Sequence, residues 1–247
     1  MSEVSMVSTG IQGLDEMLNG GIPESYVVLI SGGPGSGKTI SSLQFLYNGA
    51  LNGENGIYVS LDESPYIIKR NMKASFNWDF QKLEDEKKIS MIDATPIRYV
   101  PKEVKVGSLS IGKREFSVIS LIDMIKKSVT KINAKRIVID PITTLIFQFS
   151  ELSERRFAIM DLMQCLIETG CTSFLSSEFR SSNFEREFQP EEYLCQGVIS
   201  FQSLISGGSF LRAVHIVKMR GVSHDNQPRP YKITGKGIII YPSEKVL

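Results

Sequence analysis

The sequence predicts an α/β fold with a mainly parallel central sheet and helices on both faces. Short runs of β-branched residues alternate along the chain with longer segments of helical apolar spacing, which is typical of parallel sheets covered on both sides. The chain has 247 residues, of which 42% are hydrophobic, and this is enough to bury one sizeable core. No internal repeat or low-complexity linker interrupts the sequence. We therefore predict a single domain over residues 1–247.

Seven apolar runs are predicted to be the strands of the sheet, and four longer segments its helices. The strand runs cover residues 26–31, 57–61, 89–92, 136–139, 172–175, 197–201 and 211–217. The helical segments cover residues 39–50, 64–76, 117–132 and 153–169. We expect Ser64 to be the N-cap of the second helix with Pro65 at its first position, and Gly170 to end the fourth.

The core-facing sides of the last two helices are predicted from their apolar spacing. In the segment 117–132, the stripe consists of Leu121, Ile122, Ile125, Val129 and Ile132. In the segment 153–169, the residues expected to face the core are Phe157, Met160, Leu162, Met163 and Ile167. The segment 98–114 is irregular and rich in Lys and Val, and it is predicted to leave the sheet and to contain a hairpin turn at 106–110.

A phosphate-binding loop follows the first apolar run directly. Residues 32–39 read Gly-Gly-Pro-Gly-Ser-Gly-Lys-Thr and match the pattern G-x-x-x-x-G-K-[ST] between a strand and a helix. Glycines let successive backbone N–H groups turn toward one anion and approach its oxygens closely. Lys38 supplies a cation for the β- and γ-phosphates, and the Thr39 hydroxyl is placed to bind Mg²⁺. The predicted nucleotide-binding residues are Gly32, Gly33, Pro34, Gly35, Ser36, Gly37, Lys38, Thr39 and Ile40.

Carboxylates lie at the ends of two further predicted strands. Asp140 ends the apolar run that begins at Arg136, and an acid in that place beside a phosphate loop holds Mg²⁺ in the Walker B arrangement. Asp62 and Glu63 follow the run 57–61 and are able to orient and deprotonate a water that attacks the γ-phosphate. The pattern alone equally allows a second interpretation, in which both acids complement the N-terminus of the helix that follows them.

Lys218 and Arg220 follow the last predicted strand with one residue between them. On an extended chain, side chains at this spacing point the same way and are able to clamp one phosphate. An exposed edge strand protected by charges has the same pattern. The sequence period does not distinguish the two interpretations.

The balance of charged residues bears on whether the protein binds nucleic acid or a membrane. The chain has 28 Lys and Arg against 27 Asp and Glu, so its overall charge does not indicate a nucleic-acid or membrane partner. The loop 179–189 interleaves Arg180 and Arg186 with three phenylalanines, a pattern that can bind single-stranded DNA. The acids in and around this loop outnumber its arginines, so DNA binding is an alternative that we do not favour. A second basic patch consists of Lys102, Lys105, Lys113 and Arg114.

Neither the cysteines nor the histidines have the spacing of metal ligands. Cys165, Cys171 and Cys195 lie in apolar segments, which indicates buried thiols in a reducing compartment. The first residues lack the basic and apolar regions of a signal peptide, and no apolar run is long enough to span a membrane. We therefore expect a cytoplasmic protein without a membrane partner.

Taken together, these blocks resemble the KaiC-like branch of the RecA superfamily, in particular the single-domain archaeal KaiC-like ATPases. The resemblance covers nearly the whole chain, through residues 8–23, the phosphate loop, 58–63, 136–141, 176–178 and 218–237. It implies a RecA-like P-loop NTPase core that binds ATP and ADP with Mg²⁺ and hydrolyses ATP slowly. It also implies a homo-oligomer, commonly a hexameric ring, with nucleotide held between subunits.

The resemblance also implies roles for the candidate residues. Glu63 would activate the attacking water with Asp62 beside it, and Asp140 would be the Walker B acid. Lys218 and Arg220 would act in trans on the nucleotide of a neighbouring subunit. The pair Asp62–Glu63 departs from the more frequent Glu-Glu, and Ser36 stands where threonine is often found. One such domain is present where the circadian-clock protein has two, so clock timing is not implied.

Two other classes of function remain open from the sequence. One is a RecA- or RadA-like ATPase that depends on single-stranded DNA. The other is a nucleotide-gated interaction hub with little turnover and an unidentified protein partner. ATPase activity with and without DNA, together with the mass of the assembly, distinguishes these classes.

Overall fold

The structure is a computed structural model that describes residues 5–96, 103–106, 109–178, 189–206 and 209–246. Its strands are β1 Met6–Val7, β2 Ile22–Pro23, β3 Val27–Gly32, β4 Gly56–Ser60, β5 Ile89–Asp93, β6 Glu103–Val106, β7 Leu109–Gly112, β8 Arg136–Asp140, β9 Thr172–Glu178, β10 Gly197–Ser206, β11 Ser209–Met219, β12 Arg229–Thr234 and β13 Gly237–Ile240. Its helices are α1 Leu14–Met17, α2 Lys38–Leu51, α3 Pro65–Phe76, α4 Phe80–Asp85, α5 Lys113–Ile132, α6 Ile142–Ile146, α7 Leu152–Glu168 and α8 Pro190–Leu194.

One large sheet organises the fold. Within the described ranges it has nine strands in the order β13-β12-β11-β10-β3-β9-β8-β4-β5. The strands from β10 to β5 in that order are parallel, and β11, β12 and β13 extend the sheet in antiparallel fashion. The predicted α/β fold with a mainly parallel sheet is therefore confirmed. Strands β12 and β13 were not predicted from the sequence; β12 carries Pro230, a residue that argues against an interior strand.

Alternate residues of the parallel strands contribute to two hydrophobic cores, one on each face of the sheet. Val28 and Ile30 belong to the core that contains Phe45 of α2. Val27 and Leu29, which point the other way, belong to the core that contains residues of α5 and α7. Helices therefore cover both faces, as the alternation of apolar runs predicts.

A buried arginine joins the helix that follows the phosphate loop to the strand that ends at Asp140. Arg136 is 1% exposed, and its Nη1 donates a hydrogen bond of 2.7 Å to the carbonyl of Phe45. Its Nε donates to Glu54 at 2.5 Å, and its guanidinium lies 4.4 Å from the centre of the Phe45 ring. These contacts hold α2 and β8 in one relative position.

Several local predictions agree with the structure. Ser64 caps α3, since its side chain accepts a hydrogen bond from the Tyr66 N–H, and Gly170 follows α7 with a φ of 68°. In α5, the predicted stripe is buried or packed against the core. Strands β6 and β7 form an antiparallel hairpin in which Val106 pairs with Leu109; the intervening residues 107 and 108 lie outside the described ranges.

The predicted inward face of α7 is partly wrong. Leu162 and Met163 are buried, but Phe157, Met160 and Ile167 are 54%, 43% and 42% exposed. The core side of the helix is instead formed by Ala158, Ile159, Leu162, Met163 and Leu166. Because α7 carries apolar residues on more than one side, its apolar spacing alone does not identify which side meets the sheet.

Strand direction determines where the candidate residues lie. The parallel strands β3, β4, β8 and β9 bring their carboxyl ends to one edge of the sheet, which we call the loop edge because the phosphate loop follows β3. Strand β11 runs antiparallel to β10, so its end points to the opposite edge. β12 pairs with β11 at Ala213 and Val214, and the described pairing does not extend to Lys218. The alternative of a charged edge strand at Lys218 therefore stays a prediction.

Candidate nucleotide site

The phosphate loop has a backbone shape that its glycines make possible. Gly35 and Gly37 have φ angles of 70° and 92°, in the left-handed region that favours glycine. A Cβ on Gly32 would lie only 2.5 Å from the Ser36 hydroxyl, whereas a Cβ on Gly33 or Gly35 would meet nothing within 4 Å. Neighbouring atoms of the protein therefore pack closely against the loop at Gly32, whereas Gly33 and Gly35 border an open cradle. Backbone N–H groups of such a loop can bind an anion in this cradle.

Tyr231 of β12 supports the phosphate loop. This side chain is buried, and its hydroxyl donates a hydrogen bond of 2.5 Å to the Ser36 carbonyl. Its ring meets that of Phe201 edge-on at 5.2 Å. Gln44 of α2 adds a second link, because its side chain bonds the backbone N–H and carbonyl of Ile238 in β13. These supports were not predicted from the sequence, since β12 and β13 reach the loop only through the tertiary fold.

The ammonium of Lys38 lies over the start of the loop. Its Nζ donates hydrogen bonds of 2.9 Å and 3.1 Å to the carbonyls of Gly32 and Gly33. Burial lowers the pKa of Lys38 from its ordinary value, while the carboxylates of Glu178 and Asp140 act in the opposite direction. Glu178 ends β9 beside Gly32, and its place in the site was not predicted from the sequence.

Asp140 ends β8 at the loop edge and is 6% exposed. The Tyr58 hydroxyl donates a hydrogen bond of 2.7 Å to its Oδ2, and the Ser176 hydroxyl donates to its Oδ1. Burial raises the pKa of Tyr58 well above its ordinary value, and the neighbouring Asp140 carboxylate raises it further. Tyr58 therefore stays protonated and remains a hydrogen-bond donor to Asp140.

Asp62 and Glu63 follow β4, but their side chains have different surroundings. Thr144 of α6 donates a hydrogen bond of 2.5 Å to Asp62 Oδ1. The Ser60 hydroxyl bonds the backbone carbonyl of Glu63, whereas none of the described residues donates a hydrogen bond to the Glu63 carboxylate. Both side chains are exposed at the loop edge. The N-cap of α3 is Ser64, so neither acid is the capping residue of that helix.

Lys218 and Arg220 converge on one acceptor, at the edge opposite the phosphate loop. Their Nζ and Nη2 atoms lie 3.3 Å and 2.9 Å from the carbonyl oxygen of Tyr193. Met219, between them, pairs with Gly197, and Gly197 pairs with Val28. Val28 is four residues before Gly32, which corresponds to roughly 13 Å along a strand. The pair is therefore directed away from the phosphate loop of its own chain.

The oxygen donors at the loop edge fit Mg²⁺. The Thr39 hydroxyl and the Asp140 carboxylate are hard ligands, and Mg²⁺ is usually held by one or two such side chains together with substrate phosphates. Among the described residues, no group of three or more His, Cys, Asp or Glu is placed to hold a metal. The three cysteines are buried, and burial raises the pKa of Cys195 to about 12.

Some sequence-based hypotheses fall outside the described part of the chain. Arg180, Arg186 and the phenylalanines of their loop lie outside it, as does Lys102, and so do the side chains of Lys105, Lys113 and Arg114. Over the residues that the structure does describe, no helix is both long enough and apolar enough to cross a membrane.

Comparisons with known proteins agree with the fold. Residues 7–245 match a family model described as the KaiC ATPase. A UPF0273 protein of Pyrococcus furiosus is 42% identical over 99% of this chain and 96% of its own. The circadian clock oscillator protein KaiC of Prochlorococcus marinus is 33% identical over 97% of this chain and 45% of its own length. The crystal structure of a KaiC-like protein from Pyrococcus horikoshii has a TM-score of 0.82 and 35% identity, covering 97% of this chain and all of that one.

Proposed function

This chain belongs to the KaiC family of ATPases, and we propose that it binds and slowly hydrolyses Mg·ATP at sites completed between the subunits of a ring. Each subunit would contribute one domain, residues 1–247. The observation that carries the proposal is the separation of the two parts of the site. The phosphate loop lies at one edge of the sheet, and Lys218 and Arg220 lie at the other.

On the loop edge, the chain's own groups suit the binding of a nucleoside triphosphate. The open cradle at Gly33 and Gly35 receives phosphate oxygens through backbone N–H groups, and Lys38 supplies the positive charge. Thr39 and Asp140 would hold Mg²⁺, whose charge would neutralise part of the charge on the terminal phosphates. The same contacts to the β-phosphate would retain ADP.

Glu63 is the better candidate for the residue that takes a proton from the attacking water. Its carboxylate is exposed at the loop edge, and no described hydrogen bond occupies it. The Asp62 carboxylate already accepts a hydrogen bond from Thr144, which supports a positioning role for Asp62. A general base must be able to form a hydrogen bond with the water from which it takes the proton.

Lys218 and Arg220 would complete the site of a neighbouring subunit. Within one chain they are directed away from the phosphate loop, so any contact they make with a nucleotide requires a second copy of the chain. Arginine in this role stabilises the negative charge that develops in the transition state of phosphoryl transfer. In a ring of subunits arranged head to tail, the end of β11 of one copy would lie against the loop edge of the next.

One experiment tests this function and its alternatives. ATP hydrolysis is measured with and without Mg²⁺ and with and without single-stranded DNA, and the mass of the assembly is measured in ATP and in ADP. We expect slow Mg²⁺-dependent hydrolysis that DNA does not change, with a mass six times that of one chain. Strong stimulation by DNA would favour the recombinase-like function, and binding without turnover would favour a nucleotide-gated hub. Full activity of an isolated monomer would contradict the shared site.

A further inference from the structure

The Asp140 carboxylate is held from both sides of its strand. In the sheet, β8 lies between β4 and β9. Tyr58 of β4 reaches Oδ2, and Ser176 of β9 reaches Oδ1. Tyr58 is 1% exposed and Ser176 is fully buried, so both donors are themselves fixed by the packing around them.

From this geometry we propose that Tyr58 and Ser176 are positioning residues, which orient Asp140 and so increase the affinity of the site for a Mg²⁺-bound nucleotide. The inference rests on the proposed function, and it assigns to Tyr58 and Ser176 a role that neither the phosphate-loop pattern nor the Walker B pattern contains. Neither residue contacts the phosphate loop through a described hydrogen bond. Each acts through Asp140.

Tyr58 and Ser176 are expected to increase metal affinity because they restrict the rotation of the Asp140 carboxylate. A single hydrogen bond leaves an aspartate free to turn about its last torsion angle, whose energy profile is broad. Two donors on opposite oxygens remove that freedom. A ligand that is already fixed loses less entropy when it binds a metal or its water, and residues that fix metal ligands in this way typically change metal affinity by about 10–100-fold.

The two hydroxyl donors leave some hydrogen-bond acceptor sites of the Asp140 carboxylate unused. An ionised aspartate has two oxygens with about four acceptor sites, and Tyr58 and Ser176 use one site on each oxygen. The sites that remain are able to accept from a metal-bound water or to bind the metal directly. Removing one donor therefore loosens the orientation of Asp140 while keeping its charge.

The test compares nucleotide affinity with and without Mg²⁺ in Tyr58→Phe and Ser176→Ala. Calorimetry would give the dissociation constant of ADP in EDTA and in saturating Mg²⁺ for each variant and for the unchanged protein. We expect the affinity in EDTA to change less than twofold and the gain in affinity from Mg²⁺ to fall by about 10-fold in each variant. A purely structural hydrogen bond would change thermal stability but would leave the gain from Mg²⁺ at its original size.

Two control variants remove other hydroxyls, one from a half-buried tyrosine of α2 and one from a buried serine of β9. Tyr47→Phe retains a ring that packs on Trp78 at 5.5 Å, and Ser173→Ala removes a buried hydroxyl of the same strand β9 that bonds the Cys171 carbonyl. Both should retain the full gain from Mg²⁺. Should Tyr58→Phe fail to fold, Ser176→Ala carries the same test alone.

The possible outcomes distinguish a failure of the positioning role of Tyr58 and Ser176 from a failure of the proposed Mg²⁺ site itself. If the unchanged protein gains affinity from Mg²⁺ and both test variants gain as much, the inference is wrong and the proposed function stands. If the unchanged protein gains nothing from Mg²⁺, the proposed metal site is wrong and the inference falls with it. A reduced gain in the test variants but not in the controls supports the inference.

Discussion

Thr144 donates a hydrogen bond of 2.5 Å from its Oγ1 to Oδ1 of Asp62. Thr144 lies in α6, which begins two residues after Asp140, so the bond links the acid at the end of β4 to the segment that follows the Walker B strand. The two adjacent carboxylates are therefore not equivalent. Asp62 accepts a hydrogen bond from its own chain, while no described residue donates one to the Glu63 carboxylate.

We predict that Glu63→Gln will slow hydrolysis by roughly a hundredfold or more while ATP remains bound, because the amide keeps the shape of the side chain and loses its basicity. Asp62→Asn keeps a carbonyl oxygen for Thr144 and should slow hydrolysis much less. Single-turnover rates and ATP affinities of both variants check the prediction. A slow Asp62→Asn beside a normal Glu63→Gln would reverse the two roles, and no loss in either would remove both acids from the chemistry.

Lys38→Ala should abolish tight ATP binding, since the ammonium that lies over Gly32 and Gly33 would be lost and alanine supplies no charge to the terminal phosphates. Calorimetric titration of the folded variant measures the effect. Lys127→Ala, on the exposed side of α5, is the matched control and should bind ATP normally. Undiminished affinity in folded Lys38→Ala would contradict the assignment.

Arg220→Ala should retain ATP binding and lose most of its hydrolysis, because an arginine acting in trans stabilises charge mainly in the transition state. Mixing this variant with Lys38→Ala provides the sharper measurement. Mixed rings contain interfaces at which an intact phosphate loop meets an intact Arg220, so activity should exceed that of either variant alone. Co-assembly verified by mass, with activity no higher than the average of the two, would exclude action across an interface.

Arg136→Leu should lower the free energy of unfolding by about 2 kcal/mol, because the buried Phe45 carbonyl loses its donor, while the Glu54 carboxylate that loses its partner is half-buried and still reaches water. Urea titration at fixed protein concentration, followed by the fluorescence of the single tryptophan, gives the value. Lys127→Ala, which removes a pair whose side chains are 75% and 58% exposed, should change stability little. Equal stability of the two variants would show that the buried contacts of Arg136 add nothing.

The native protein should resist alkylation by iodoacetamide at pH 8. Burial raises the pKa of Cys195 to about 12 and also raises the pKa values of Cys165 and Cys171. A raised pKa means less thiolate below that pKa, and the thiolate is the reactive form. Mass spectrometry should find no modification before denaturation and three modified cysteines after it. Rapid labelling of the native protein at any of the three would show that its segment opens.

Features that depend on a few consecutive residues could be predicted from the sequence. The phosphate loop favours glycine at positions 35 and 37 because the φ angles there are positive. The glycines are visible in the sequence at those positions, so the loop can be predicted locally. The Ser64 cap of α3 and the Asp140 position at the end of β8 are likewise local. The alternation of apolar runs determined the fold class, since each strand of a parallel sheet must be buried on both faces.

Features that depend on which strands become neighbours, and in which direction, were decided by the tertiary structure. Nothing near Tyr58 or Ser176 in the sequence indicates that both reach Asp140, and nothing near Tyr231 indicates that it bonds Ser36. The antiparallel direction of β11 carries Lys218 and Arg220 away from the phosphate loop, and the packing of α7 leaves Phe157 exposed. Residues far apart in the chain set these outcomes through long-range pairing and packing, which a local pattern does not contain.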